Sequence, residues 1–168
     1  MVDSSGLLLF RRSPDGVVEM LIGHMGGPFW ANQQEHAWSV PKGLHDDGER
    51  DHLAVALREF EEEMGAPPPD GPNIALGSVE TGNKTITVFA REGDFDAESA
   101  VSNTFHLEWP RGSGQIQEFP EIDEAAWKSA AEARSLLTKA QGSFVDRLVD
   151  HLDGVDPLGT EESPSPTG

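Results

Sequence analysis

Two pairs of apolar runs dominate the first half of the chain and predict two β-hairpins. Residues 5–12 and 17–25 flank a turn at 13–16 that contains proline and an Asp-Gly pair. Residues 74–81 and 84–91 flank Gly-Asn, and polar and apolar side chains alternate along the second of them. Turn residues between two such runs are typical of hairpins. We therefore predict four strands in these segments.

The remaining apolar segments predict shorter strands and three helices. Three short runs are expected to form strands, at residues 37–40, 104–109 and 122–128. Apolar residues at helical spacing occur in three other segments, at residues 50–64, 129–139 and 143–152. Gly65 and the prolines that follow it predict the end of the first helix. Strands interleaved with a few helices predict a mixed α/β layer structure.

The length and composition indicate one domain followed by a tail. The 168 residues are enough for a single core, which we place in residues 1–152. Residues 153–168 are acidic and rich in proline, and we expect them to be disordered. The absence of cysteine excludes disulfides, a thiol nucleophile and cysteine-ligated metal sites.

Charge and hydropathy limit the binding partners and the cellular compartment that we expect for this protein. Thirty acidic against twelve basic residues give a formal charge of −18, which disfavours binding to duplex DNA or RNA. No stretch approaches the roughly 18 apolar residues of a membrane span, and the first residues do not resemble a secretion signal. We expect a cytoplasmic protein without a membrane partner. The oligomeric state stays open, with a dimer among the options.

The first predicted helix carries three glutamates on one side. With Glu59 at zero on a helical wheel, Glu62 falls at about −60° and Glu63 at about +40°, away from the apolar residues. We call these three residues the carboxylate face. Like charges at this spacing repel, and a divalent cation would relieve the repulsion. A plain solvated acidic surface is the competing interpretation, because the whole chain is acidic.

The residues around this face favour the metal interpretation, because they follow a known pattern. Gly43, Glu49 and the segment Arg-Glu-Phe-Glu-Glu-Glu-Met-Gly-Ala at residues 58–66 resemble the Nudix box, G-x5-E-x7-R-E-U-x-E-E-x-G-U. Between Glu49 and Arg58 lie eight residues, where the family usually has seven. We place the extra residue at the start of the helix. More loosely, residues 5–152 resemble a bacterial branch of predicted nucleoside polyphosphate pyrophosphohydrolases.

The resemblance to Nudix hydrolases implies an α/β/α sandwich with a mixed β-sheet, and hydrolysis of a nucleoside diphosphate linked to a further group X. It implies that Glu59, Glu62 and Glu63, with the backbone carbonyl of Gly43, bind Mg²⁺ or Mn²⁺. In this family the arginine, here Arg58, orients the carboxylates, and the counterpart of Glu49 pairs with it. A cation among carboxylates would offset the charge of a pyrophosphate.

The proton acceptor is less sharply defined, because Nudix members use either a box glutamate or one from a distant loop. Glu59 is the candidate inside the box. Glu118 and Glu121, on either side of a Phe-Pro pair, are the distal candidates, and we favour Glu118 for its place in the Gln-Glu-Phe segment. Ordinary surface charge is the alternative for both distal residues.

Three residues are candidates for binding the substrate. Lys42 precedes the box glycine and could meet a phosphate. Phe29 and Trp30 lie in a breaker-rich loop at residues 26–36 and could stack on a nucleobase or else cap the sheet. The expected substrate is a dinucleoside polyphosphate or a nucleoside triphosphate. The alternative function is a catalytically silent Nudix-like domain that binds a nucleotide or a protein.

Overall fold

Seven strands pair into one mixed sheet within residues 2–154, the part of the chain that this computed structural model describes. The strand order is β3-β2-β1-β6-β5, with β4 paired to β1 and β9 paired to β2. Strands β1 and β6 run parallel, and the other pairs are antiparallel. The strands of this sheet are β1 (Val2–Arg12), β2 (Val18–Met25), β3 (Trp38–Ser39), β4 (Lys42–Leu44), β5 (Asn73–Thr81), β6 (Lys84–Glu92) and β9 (Ile122–Ser129).

The other secondary-structure elements are a separate two-stranded ribbon and the helices. Strands β7 (Thr104–Glu108) and β8 (Ile116–Pro120) pair antiparallel and form the ribbon. The helices are α1 (His52–Met64), α2 (Ala130–Leu136) and α3 (Gly142–Leu152), with short 3₁₀ turns at Ala97–Ser99 and Lys139–Gln141.

Consecutive apolar residues of β1 serve opposite faces of the sheet, because side chains alternate along a strand. Leu7 and Leu9 pack in the cluster under α1, whereas Leu8 and Phe10 pack in the cluster that contains residues of α2 and α3. The helices therefore cover both faces, and the predicted α/β/α sandwich with a mixed sheet is confirmed.

Helix α1 begins and ends where local chemistry favours it. The carboxylate of Asp51 accepts a hydrogen bond from the backbone N–H of Ala54 and caps the helix at its start. Gly65 takes a φ of 83° at its end, a conformation that glycine adopts without strain. Phe60 and Met64 are buried against the sheet, which turns the carboxylate face away from the core.

The predicted hairpins are confirmed, and several other boundaries differ. Strands β4 and β8 were not expected from the sequence, because the first has three residues including glycine and the second is mostly polar. The helix predicted at residues 129–139 ends at Leu136, since Leu137 is extended and bridges Trp38. The tail predicted for residues 153–168 lies outside the described residues from 155 onward.

The described helices are all short. Within residues 2–154, no helix is both long and apolar enough to cross a bilayer.

Candidate functional site

Strand β4 brings the loop glycine against helix α1. Gly43 pairs with Ser5 on β1, and this register places β4 beside the helix that packs on the same strand. A Cβ atom on Gly43 would lie 2.0 Å from the carboxyl carbon of Glu59. Only glycine therefore allows the glutamate to approach this backbone so closely.

Arg58 ties the loop before the helix to the carboxylate face. Its Nη1 donates to Glu49 Oε2 at 2.5 Å, and its Nη2 donates to Glu59 Oε1 at 3.3 Å. Its Nε lies 3.8 Å from Glu62 Oε1, one helical turn away. The eight residues between Glu49 and Arg58 do not prevent this pair from forming. Hydrogen bonds from the Asp46 backbone N–H and from Arg58 lower the pKa of Glu49.

Glu63 is the most perturbed carboxyl group of the face. Burial raises the pKa of Glu63 to about 8, and the negative charges of Glu59 and Glu121 act in the same direction. The Lys42 ammonium charge and a hydrogen bond from the Lys42 backbone N–H oppose this rise. Burial and the neighbouring Glu62 also raise the pKa of Glu59. Ionising both glutamates in the absence of a cation therefore costs free energy.

The three carboxylates share one region but are not arranged as a finished metal centre. Among residues 2–154, no group of three or more acidic or histidine side chains stands close enough together to hold a metal ion. The donor set nevertheless fits a hard divalent cation, because carboxylate oxygens are its preferred protein ligands. Glu62 is 41% exposed and therefore has room to turn toward its partners.

A cavity of about 290 Å³ opens beside Lys42, on the side of the sheet that α3 covers. Lys42, Lys84 and Lys139 line it, together with Thr81 and Gln141. We call it the lysine cavity. Burial lowers the pKa of Lys42, and so does the positive charge of Lys84. The cavity therefore concentrates positive charge next to the carboxylate face.

The family comparison decides the identity of the fold and the box. The family model for the NUDIX domain matches residues 1–148. The chain belongs to the NUDIX family. The predicted family is thereby confirmed, and with it the predicted enzyme class, a Nudix pyrophosphohydrolase.

Solved NUDIX structures share the fold at low sequence identity. A C. elegans Ap4A hydrolase binary complex aligns with a TM-score of 0.59 and 20% identity, covering 92% of this chain and 99% of that one. The NUDIX domain of Shewanella oneidensis NrtR, complexed with ADP ribose, gives 0.60 and 13%, covering 90% and 88%. The MutT protein from Methanosarcina mazei Go1 gives 0.54 and 18%, covering 90% and 94%. No curated protein sequence matches the chain.

The two distal glutamates differ in where this NUDIX fold places them. Glu118 lies on the β7–β8 ribbon with its side chain 58% exposed, 3.5 Å from the His106 ring. Glu121 follows the ribbon and is exposed. Its negative charge nevertheless raises the pKa of Glu63 and opposes the lowering of the pKa of Lys42, so it lies close to both. The structure therefore groups Glu121, and not Glu118, with the carboxylate face. The role predicted for Glu118 stays a prediction.

The two loop aromatics contact other parts of the described residues. Phe29 is 54% exposed and contacts Trp109 edge to face, at 5.4 Å between ring centroids. Trp30 packs against the core cluster on the α2 and α3 side. Neither ring lines the lysine cavity. Their predicted stacking on a nucleobase stays a prediction.

Lys84 and Lys139 were not expected at the site from the sequence. The chain has only four lysines, so their scarcity was the available signal. Their convergence depends on the β5–β6 hairpin and on the 3₁₀ turn before α3, which lie far apart in sequence. Spacing along the chain could not show that they meet Lys42.

Proposed function

We propose that this NUDIX protein hydrolyses a pyrophosphate bond in a nucleoside diphosphate linked to a further group, with Mg²⁺ or Mn²⁺ as cofactor. The observation that carries the proposal is the close packing of Gly43 against Glu59, which brings the loop backbone to the carboxylates of the family motif. Burial and the charges of Glu59 and Glu121 raise the pKa of Glu63 to about 8, and such perturbed acidic groups are characteristic of functional sites. A bound cation would relieve the repulsion among these carboxylates.

The cation would be held by Glu59, Glu62 and Glu63, together with the backbone carbonyl of Gly43. When bound, it offsets the negative charge of the pyrophosphate and promotes attack by water. Arg58 orients Glu59 and Glu62 through its two contacts with them. Glu49 holds that arginine in place from the loop.

Two further roles fall to residues beside the face. The Lys42 ammonium group would bind a phosphate oxygen, a role supported by its nearness to Glu63 and by its position at the lysine cavity. The proton of the attacking water passes to a glutamate, for which Glu59 and Glu121 are the candidates that the geometry supports best.

A dinucleoside polyphosphate or a nucleoside triphosphate is the substrate class that we propose. The likeness to an Ap4A hydrolase supports a dinucleoside polyphosphate, and the likeness to the ADP-ribose complex of NrtR supports a nucleotide ligand more generally. The NrtR likeness also favours the second candidate function, binding of a nucleotide without turnover. We expect no binding to duplex nucleic acid, given the charge of −18.

The test is incubation of the full chain with Mg²⁺ and a panel of dinucleoside polyphosphates, nucleoside triphosphates and nucleotide sugars. Ion-exchange chromatography then resolves the products. We expect cleavage of one class, and its loss in chelator. If the folded protein cleaves none of them with Mg²⁺ or Mn²⁺, hydrolysis is excluded for these classes. Calorimetric binding of a nucleotide without turnover would then favour the second candidate.

A further inference from the structure

We propose that the lysine cavity binds phosphate groups beyond the pyrophosphate that is cleaved, so that the enzyme prefers substrates with three or more phosphates. This inference rests on the proposed function and names the part of the substrate that the cavity recognises. Lys84 and Lys139 are assigned here as specificity-determining residues.

The first support is the concentration of scarce charge. The chain has four lysines against 30 acidic residues, and three of these lysines line one cavity. Lys42 on β4 and Lys84 at the start of β6 both line it. Placing like charges together costs free energy unless an anion joins them.

The second support is that the described residues give these lysines no direct carboxylate partner. In the part of the chain that the structure describes, none of the three forms an ion pair with a carboxylate, although the charges of nearby glutamates act on Lys42 from outside the cavity. The other residues that line the cavity supply hydrogen-bonding groups, from Thr81, Thr138 and Gln141, and apolar walls, from Met25 and Ile86. Ammonium groups in such a cavity are available to a polyanion.

The third support is the position of Lys42 between two regions. Its backbone N–H bonds the Glu63 carboxylate, while its side chain lines the cavity with Lys84. A phosphate chain held at the carboxylate face can therefore continue past Lys42 toward Lys84 and Lys139. The volume of about 290 Å³ lies at the lower limit for ligand pockets, which suits a phosphate chain better than a whole nucleotide.

A substrate series with matched variants tests the assignment. The full chain is assayed with diadenosine diphosphate, triphosphate and tetraphosphate at saturating Mg²⁺, and kcat and KM are measured separately. We expect kcat/KM for the tetraphosphate to exceed that for the diphosphate by about 10-fold or more. Lys84→Met should lower the tetraphosphate value by about 10- to 100-fold, mainly through KM, and leave the diphosphate value nearly unchanged.

Two further variants separate the cavity from general charge. Lys139→Met should give a smaller loss, because Lys139 is exposed and its charge is screened. Lys128→Met removes the same charge from the fourth lysine, which lies over the Trp38 ring and outside the cavity. It should keep the preference for the longer chain. Lys84→Arg keeps the positive charge and should retain part of the preference that Lys84→Met loses.

A binding measurement keeps the test independent of turnover. Calorimetry with inorganic tripolyphosphate and orthophosphate should show tighter binding of tripolyphosphate, weakened about 10-fold or more by Lys84→Met and unaffected by Lys128→Met. If hydrolysis is absent but this pattern holds, the proposed function fails and the cavity assignment stands. Equal rates on all three substrates, a preference that survives Lys84→Met, or an equal loss in Lys128→Met would overturn the assignment.

Discussion

Helix α1 and the β7–β8 ribbon both present glutamates, yet the two sets meet different surroundings. Glu59 has a side chain 13% exposed and lies against Gly43, and burial raises its pKa and that of Glu63. Glu118 on the ribbon is 58% exposed, and its described partner is the His106 ring. The same chemical group is therefore strongly perturbed in one region and solvated in the other.

This difference in surroundings is the reason that we propose a function for the α1 carboxylates and not for every glutamate of so acidic a protein. Sequence neighbours alone do not distinguish the two regions, because glutamates are frequent throughout the chain. Burial, a second carboxylate and an arginine that holds the geometry are what separate α1 from the ribbon. Single substitutions can remove these features one at a time.

The largest effect is expected for Glu63→Gln, which removes the most perturbed carboxylate of α1. We expect kcat/KM to fall by about 1,000-fold, since metal stabilisation of phosphate charge contributes several kcal/mol. Steady-state kinetics with Mg²⁺ measures the loss. The control is Glu61→Gln, an exposed carboxylate on the same helix, which should stay within about 3-fold of the wild type. Equal losses in both variants would contradict a special role for Glu63.

The next effect tests the close approach of the loop to α1. Gly43→Ala places a methyl group where the Glu59 carboxyl group lies, and we expect about 100-fold lower kcat/KM because small displacements at a reaction centre are costly. The comparison is Gly48→Ala, where φ is +83° and nothing lies within 4 Å. That variant should lose roughly 1–2 kcal/mol of stability while retaining metal binding. If Gly43→Ala instead lowers the stability and leaves kcat/KM unchanged, Gly43 matters only for folding.

Much of the fold and of the carboxylate face could be predicted from the sequence, because both depend on local spacing. The alternation in residues 84–91 predicts a strand that the structure confirms as β6, and helical spacing places Glu59 and Glu63 together. Strand β4 could not be predicted in this way, because three residues are too few to show a strand pattern. Its hydrogen bonds come from pairing with β1, which is distant in sequence. The lysine cavity was equally inaccessible, because tertiary folding brings Lys84 to Lys42.

A third prediction concerns the arginine that distinguishes α1 from the ribbon. Arg58→Lys keeps the charge but loses the fork that reaches Glu49 and Glu59 together. We expect a loss of about 10-fold or more in activity and a matching loss in Mg²⁺ affinity, as for residues that orient metal ligands. Calorimetric titration with Mg²⁺ measures the second quantity. Arg50→Lys, an exposed position just before the helix, should leave both values unchanged.

The fourth prediction uses pH to reveal the buried carboxyl group. The folded-state pKa of Glu63, about 8, lies above its ordinary value of 4.5, so folding favours the neutral form. In chelator, the wild type should therefore lose thermal stability relative to Glu63→Gln as the pH rises from about 4.5 to 8. The difference should level off at higher pH, and Mg²⁺ should reduce it. A pH-independent difference between the two melting temperatures would contradict the perturbed pKa.

The smallest effect is expected for Glu118→Gln on the ribbon. Since Glu118 is exposed and its described partner is His106, its removal should change kcat/KM by less than about 2-fold and shift neither limb of the pH–rate profile. Glu121→Gln, three residues further on, should lower kcat and alter the profile, because Glu121 interacts with Glu63 and Lys42. If Glu118→Gln instead abolishes the acidic limb of the profile while Glu121→Gln does not, the ribbon carries the proton acceptor and must close over the carboxylate face during turnover.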